Sequence, residues 1–216
     1  MRRALELVVV GAYFILENIE TETAHAWLKS EKHTPNFRRA IKTLVKYEPY
    51  SNCEHKCQFS EFILSIYHKL SGYIHIRGIE KSHEKLMPYL SRFNSIEFLK
   101  FHESSCQQSL DLFIETIQSM SLIYVLTIPR LLVGFDFDSK FGLNSSFSGF
   151  FTSGQAKRVH MLIPESFRTF IDDLEKKNEE IRSVKELVDS IPDISEEEFN
   201  KQCEKFKELF MLDDDI

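Results

Sequence analysis

A chain of 216 residues with 43% hydrophobic and 28% charged residues has the make-up of an ordinary soluble protein, long enough to bury its core without metals or disulfides. Seven glycines and six prolines are too few for a turn-dense β-sandwich, and a net charge of -6 gives no bulk attraction for nucleic acid. The charge is uneven: residues 1–108 carry 15 basic and 12 acidic groups, residues 109–216 carry 12 basic and 21 acidic.

The first predicted element runs over residues 2–28. From Ala4 to Leu16 it is apolar on almost every face, the pattern of a helix buried centrally in a bundle. Arg2 and Arg3 before the apolar run, and Ala24-His25-Ala26 after it, imitate a secretory leader. Glu6, Glu17, Glu20 and Glu22 argue against one, and the run is too short to span a bilayer. The helix opens without a cap, as it would in a piece of a longer chain. No segment is expected to reach transmembrane length.

Thr34 followed by Pro35 predicts a helix start, with the helix reaching about Tyr47. Phe37, Ile41, Leu44 and Val45 form its inner face. Arg38, Arg39, Lys42 and Lys46 lie on the outer one, which either meets phosphate or is a plain solvated face. Residues 48–57 read as a loop. Cys53, His55 and Cys57 in it could supply three zinc ligands, but structural zinc pairs two such knuckles and there is no second, so no metal and no cofactor is expected. With Cys106 and Cys203 the cysteines number four, too sparse for a disulfide framework, and predict free thiols in a reducing cytoplasm.

Phe59, Phe62, Ile63, Ile66, Tyr67 and Leu70 have the spacing of one helical face, and Gly72 is placed to end that helix near Ser71. The junction that follows holds His75, Arg77 and His83. Ser82 caps the next helix, with Glu84 in its first turn and Pro88 close behind. Asn94 with Glu97 opens the longest element, which reaches about Val133 with a bend or stop at Pro129. Leu110, Phe113, Ile114, Ile117, Met120 and Ile123 or Tyr124 are predicted to point inward. The apolar stretch around Ser119–Phe151, with Leu126 and Phe147 in it, is read as surplus surface for a partner.

Residues 134–154 mix Gly, Ser and Asp with six phenylalanines, and such a loop is expected to fold back onto the bundle. Alternation with Phe135 and Phe137 puts Asp136 and Asp138 on its wet side. A helix after Pro164 buries Phe167, Phe170, Ile171 and Leu174. Another covers about Ile181–Ser190, and a capping box of Ser195 and Glu198 opens the last, through Phe199, Cys203, Phe206 and Phe210. These elements predict an all-α fold: one helical domain over 1–216, a bundle of six to eight helices with the Phe-rich loop packed on it. Its natural divisions are 1–133, 134–154 and 155–216.

No nucleophile motif, phosphate-cradling glycine loop or zinc helix is present. Arg77 and His83, with five residues between them at a junction between two helices, form a pattern that resembles the R-x4–6-H motif of the HEPN superfamily, helical domains of prokaryotic toxin and phage-defence systems. Gly78 stands where the commonest form has a polar residue. The resemblance implies a metal-independent endoribonuclease working as a dimer, with Arg77 on the phosphate and His83 as general acid or base. His75, Arg38, Arg39, Lys42 and Lys46 would then join as binding groups. Read from residues alone, the chain is a helical module that binds a protein partner or a second copy of itself, with RNA as a ligand only under the enzyme reading and no membrane association.

Overall fold

The computed structural model describes residues 1–17, 21–74, 103–135, 137–144 and 151–210. Among these there are eleven α-helices and no strand, as an all-α fold requires. They are α1 (Arg2–Leu16), α2 (Thr21–Leu28), α3 (Phe37–Leu44), α4 (Tyr50–Cys57), α5 (Phe59–Ile74), α6 (Glu103–Thr127), α7 (Asp138–Phe141), α8 (Ser153–Leu162), α9 (Glu165–Lys177), α10 (Glu179–Ser190) and α11 (Glu196–Phe210). Several are only one or two turns long, which is why they outnumber the rods that a pattern search counts. Two compact units emerge. The first is Met1–Thr127 with Leu162–Phe170, the second Ile128–Met161 with Ile171–Ile216.

In the first unit α1 packs on α3, α5 and α6. Leu5, Val9, Val10 and Ala12 line its buried face, whereas Leu7 and Ile15 are half-exposed. The helix is therefore embedded on one side only, not sheathed all round as its composition suggests. It ends at Leu16, and α2 is a separate element. In α3 the start also differs from the expected one. Asn36 is the cap, accepting from the Arg39 amide at 3.2 Å, because the helix begins only at Phe37; the Thr34 hydroxyl instead accepts from the Trp27 indole at 3.1 Å. Phe37, Ala40, Ile41 and Leu44 are buried.

Residues 50–57, expected as a loop, are helical in α4. Little in YSNCEHKC favours a helix; burial of Tyr50 and Cys53 holds it. The Tyr50 hydroxyl donates to the Ile123 carbonyl at 2.7 Å and lies 2.7 Å from the Thr127 hydroxyl. Gln58, at a left-handed φ of 54°, turns the chain into α5, and the Glu54 carboxylate accepts from the Ser60 amide at 2.7 Å, an anion at the positive end of that helix. Phe59, Ile63, Ile66 and Leu70 are its buried face. The helix continues through Gly72 to Ile74 instead of stopping there. Phe167 closes this unit, its ring 5.0 Å from that of Phe62.

The helix α6 is the longest element, and it buries a different face from the one its hydropathy favours. Leu112, Thr116, Ser119, Leu122, Ile123 and Leu126 are buried, while Leu110, Phe113, Ile114 and Tyr124 are about half-exposed. The inner face is inconspicuous because it carries Thr116 and Ser119. Their hydroxyls bond back to the Leu112 and Glu115 carbonyls, each at 2.7 Å, so neither is left unsatisfied at the interface with α1 and α5. Apolar residues on both faces also make Cys106–Thr127 long and apolar enough to cross a membrane by length and composition, which the sequence reading does not anticipate. Pro129 opens a 3-10 turn, Pro129–Leu132, after the helix has ended.

In the second unit the two ends of the Phe-rich stretch meet. Gly134 bridges to Phe151, and the Phe135 amide donates to the Phe151 carbonyl at 2.8 Å. The chains cross so closely that a Cβ on Gly134 would run into Thr152. Phe135 and Phe137 are both buried, as alternation requires. A turn at Gly142–Asn144, with Gly142 at a φ of +58°, docks on α11 through the Leu143 amide and Gln202 Oε1, 2.8 Å apart. The helix α8 has no counterpart among the predicted elements. In α9 Phe167, Phe170 and Ile171 are buried as expected while Leu174 is half-buried, and in α10 Ile181 and Val188 are buried. Ser195 caps α11 by accepting from the Glu198 amide at 3.2 Å, yet Phe199 and Phe206 on that helix remain partly exposed.

Candidate functional site

Two surfaces of the first unit carry the chemistry that the described residues offer. The predicted elbow is not one of them: His75, Arg77 and His83 lie outside the described residues, as do Asp136 and Phe147. Leu126, expected on a partner face, is fully buried and belongs to the core. The exposed apolar surface lies on the other side of the same helix.

That first surface is the open face of α6. Leu110, Phe113, Ile114 and Tyr124 are 51%, 48%, 45% and 47% exposed, and Ile117 and Met120 between them are half-buried. At about 200 Å² per large apolar side chain the four exposed residues alone leave about 400 Å² open, the size of a patch that usually has a use. Cys106 is exposed at the N-terminal end. Steps of four and three residues join Cys106, Leu110, Phe113, Ile117, Met120 and Tyr124, the spacing of a seam between two helices. No charged side chain stands on the stripe between Leu110 and Tyr124. Asp111 is off to one side, and Glu115 is turned away into a pair with Lys69 at 2.7 Å.

The second surface is the outer face of α3 and the turn after it. Arg38, Arg39, Lys42 and Lys46 lie on this side, away from the buried Phe37, Ala40, Ile41 and Leu44, as the amphipathic pattern predicts. Among the described residues no carboxylate pairs with any of them. Arg38 Nη2 donates to His68 Nε2 at 2.8 Å, because a guanidinium can only donate. Beneath them Phe37 stacks on Tyr67 at 4.1 Å, and the Arg2 guanidinium lies 5.1 Å from the Tyr67 ring centre and donates to its hydroxyl at 2.9 Å. Arg2 is also paired with Glu6 at 3.1 Å.

The cysteine cluster does not assemble. On α4, Cys53 is buried and Cys57 half-buried one turn on, while His55 is exposed on the far side of the helix. Burial pushes both thiols above the ordinary cysteine range, which keeps them protonated and unreactive at neutral pH. Among the described residues no three metal-ligating side chains converge. In the second unit Glu175 pairs with Lys185 at 3.0 Å and lies 3.4 Å from His160 Nε2, contacts that tie α8, α9 and α10 together. No family model, curated protein or solved structure matches the chain.

Proposed function

We propose that this chain is a helical protein-interaction module whose contact surface is the open face of α6, and that the surface takes a second copy of itself. The half-exposed stripe of Leu110, Phe113, Ile114 and Tyr124 carries the reading. Its order is symmetric about Ile117: Leu110 and Tyr124 stand seven residues to either side, Ile114 and Met120 three. An antiparallel pairing about a two-fold axis at Ile117 therefore sets Leu110 of one copy against Tyr124 of the other, as an isologous interface demands. The absence of charge on the stripe avoids like-charge repulsion across the axis. The area expected, about 800 Å² from the four exposed residues of both copies before their flanks are added, is below that of stable specific interfaces and fits a weak, transient dimer. Four free thiols fit a reducing, cytoplasmic setting.

Sedimentation velocity at rising protein concentration tests this. The wild-type chain is expected to shift from monomer to dimer across the micromolar range, and Phe113→Asp to stay monomeric at every concentration. A wild-type chain that remains a monomer, or binds phospholipid vesicles through the stripe instead, sinks the reading. RNA cleavage lost on replacing Arg77 or His83 would favour the ribonuclease implied by the HEPN resemblance in its place.

A further inference from the structure

We infer that the outer face of α3 binds the phosphate backbone of single-stranded nucleic acid, through Arg38, Arg39, Lys42 and Lys46. This surface is independent of the α6 dimer, and a contrast marks it out. The chain has 33 acidic groups against 27 basic ones, and several cations elsewhere pair with acids: Lys69 with Glu115, Lys140 with Asp193, Lys185 with Glu175, Lys201 with Glu197. Four cations within nine residues on and just after α3 meet no carboxylate among the described residues. By sequence the first unit holds 16 basic and 15 acidic groups and the second 11 and 18, so the acid excess of the chain belongs to the second.

The spacing suits a strand of phosphates. Residues 39, 42 and 46 rise along one side of the helix and the turn after it, with 38 and 42 one turn apart beside them. At about 1.5 Å per residue the cations span about 12 Å, within side-chain reach of several successive phosphates of one strand. Two guanidiniums give forked contacts to phosphate oxygens, and two lysines add mobile point charges. The His68 contact steadies Arg38 through one nitrogen and leaves its other donors free for phosphate. The buried residues beneath, Phe37, Ala40, Ile41 and Leu44, fix α3 on its neighbours, so the row of charges sits on a rigid rod. Contacts to phosphate position a strand and carry no sequence preference of their own.

The test is fluorescence anisotropy of the full chain with a labelled single-stranded DNA of about twenty nucleotides, which ribose 2′-hydroxyl chemistry cannot cut. Four phosphate contacts predict a log–log salt slope near about -3 and about a fifty-fold loss of affinity between about 50 and 200 mM NaCl. The triple variant Arg39→Gln, Lys42→Gln, Lys46→Gln removes charges that hold no ion pair among the described residues, and should keep the wild-type melting curve. Its slope should fall to about -1 and its affinity at low salt drop at least about tenfold. Absence of binding at the low-salt end overturns the inference, as does a triple variant that binds like the wild type. So does tighter binding of poly-glutamate than of the DNA, because it would assign the face to an acidic polypeptide.

Discussion

Tyr50 ties three helices together from a single phenol. Its ring is buried edge-on against Phe59 with centroids 5.1 Å apart, and its hydroxyl reaches the Ile123 carbonyl and the Thr127 hydroxyl at the end of α6. Burial raises its pKa above the ordinary tyrosine value. The neutral form is the one the fold accepts, so this contribution to stability is complete below the unfolded-state pKa of about 10 and is lost as pH climbs through the higher folded-state value. Tyr50→Phe should cost about 1 kcal/mol at neutral pH, lowering the melting temperature by about 2–4 °C. In melts taken from about pH 8 upward, the variant should lose stability less steeply than the wild type above about pH 10. Parallel pH curves for the two proteins would contradict the assignment. No pattern of hydropathy announces such a residue. Tyr50 opens a stretch of polar and cysteine residues, and its weight comes from partners far along the chain, at Ile123 and Thr127. The Asn36 cap is hidden too: Thr34 before Pro35 is the stronger sequence candidate, but the helix begins only at Phe37.

At the scale of the element, α5 and α6 mark what periodicity can and cannot say. In α5 the large residues fall on one face, and that face is the buried one. In α6 large residues fall on two faces. Periodicity favours the heavier stripe, whereas the core takes the one with Thr116 and Ser119, because small residues let a helix approach α1 and α5 closely while their hydroxyls stay bonded to their own backbone. That a long helix exists here is legible in the sequence; its rotation is not, since nothing local distinguishes a face that meets the core from one that meets another copy. The contrast yields a direct prediction. Leu126→Asp buries an unpaired carboxylate and should lower stability by more than about 3 kcal/mol or prevent folding, while Phe113→Asp, at a half-exposed position, should cost about 1 kcal/mol. Chemical denaturation of the two variants measures both, and equal losses would mean that the stripe at Phe113 is core.

For the whole molecule, the all-α architecture follows from few glycines and prolines and from long apolar periods, while the grouping into two units does not. Those units are discontinuous in sequence, with α9 contributing to both, and only contacts reveal that. The acid excess sits with the second unit by composition, and the first carries an uncharged stripe on α6 and a basic row on α3. The motif pair Arg77 and His83 lies outside the described residues, so the proposed role in self-association rests on α6. Its most direct test is oxidative cross-linking of the Ile117→Cys variant in a chain whose Cys106 is replaced by Ala. An antiparallel pair about Ile117 puts the two introduced thiols on the axis and predicts a disulfide-linked dimer. In a wild-type control the Cys106 thiols, eleven residues from the axis in each copy, stand about 33 Å apart and should give none. Wild-type dimers linked through Cys106, or none through the thiol introduced at position 117 at concentrations where the wild-type chain associates, would contradict the antiparallel pairing.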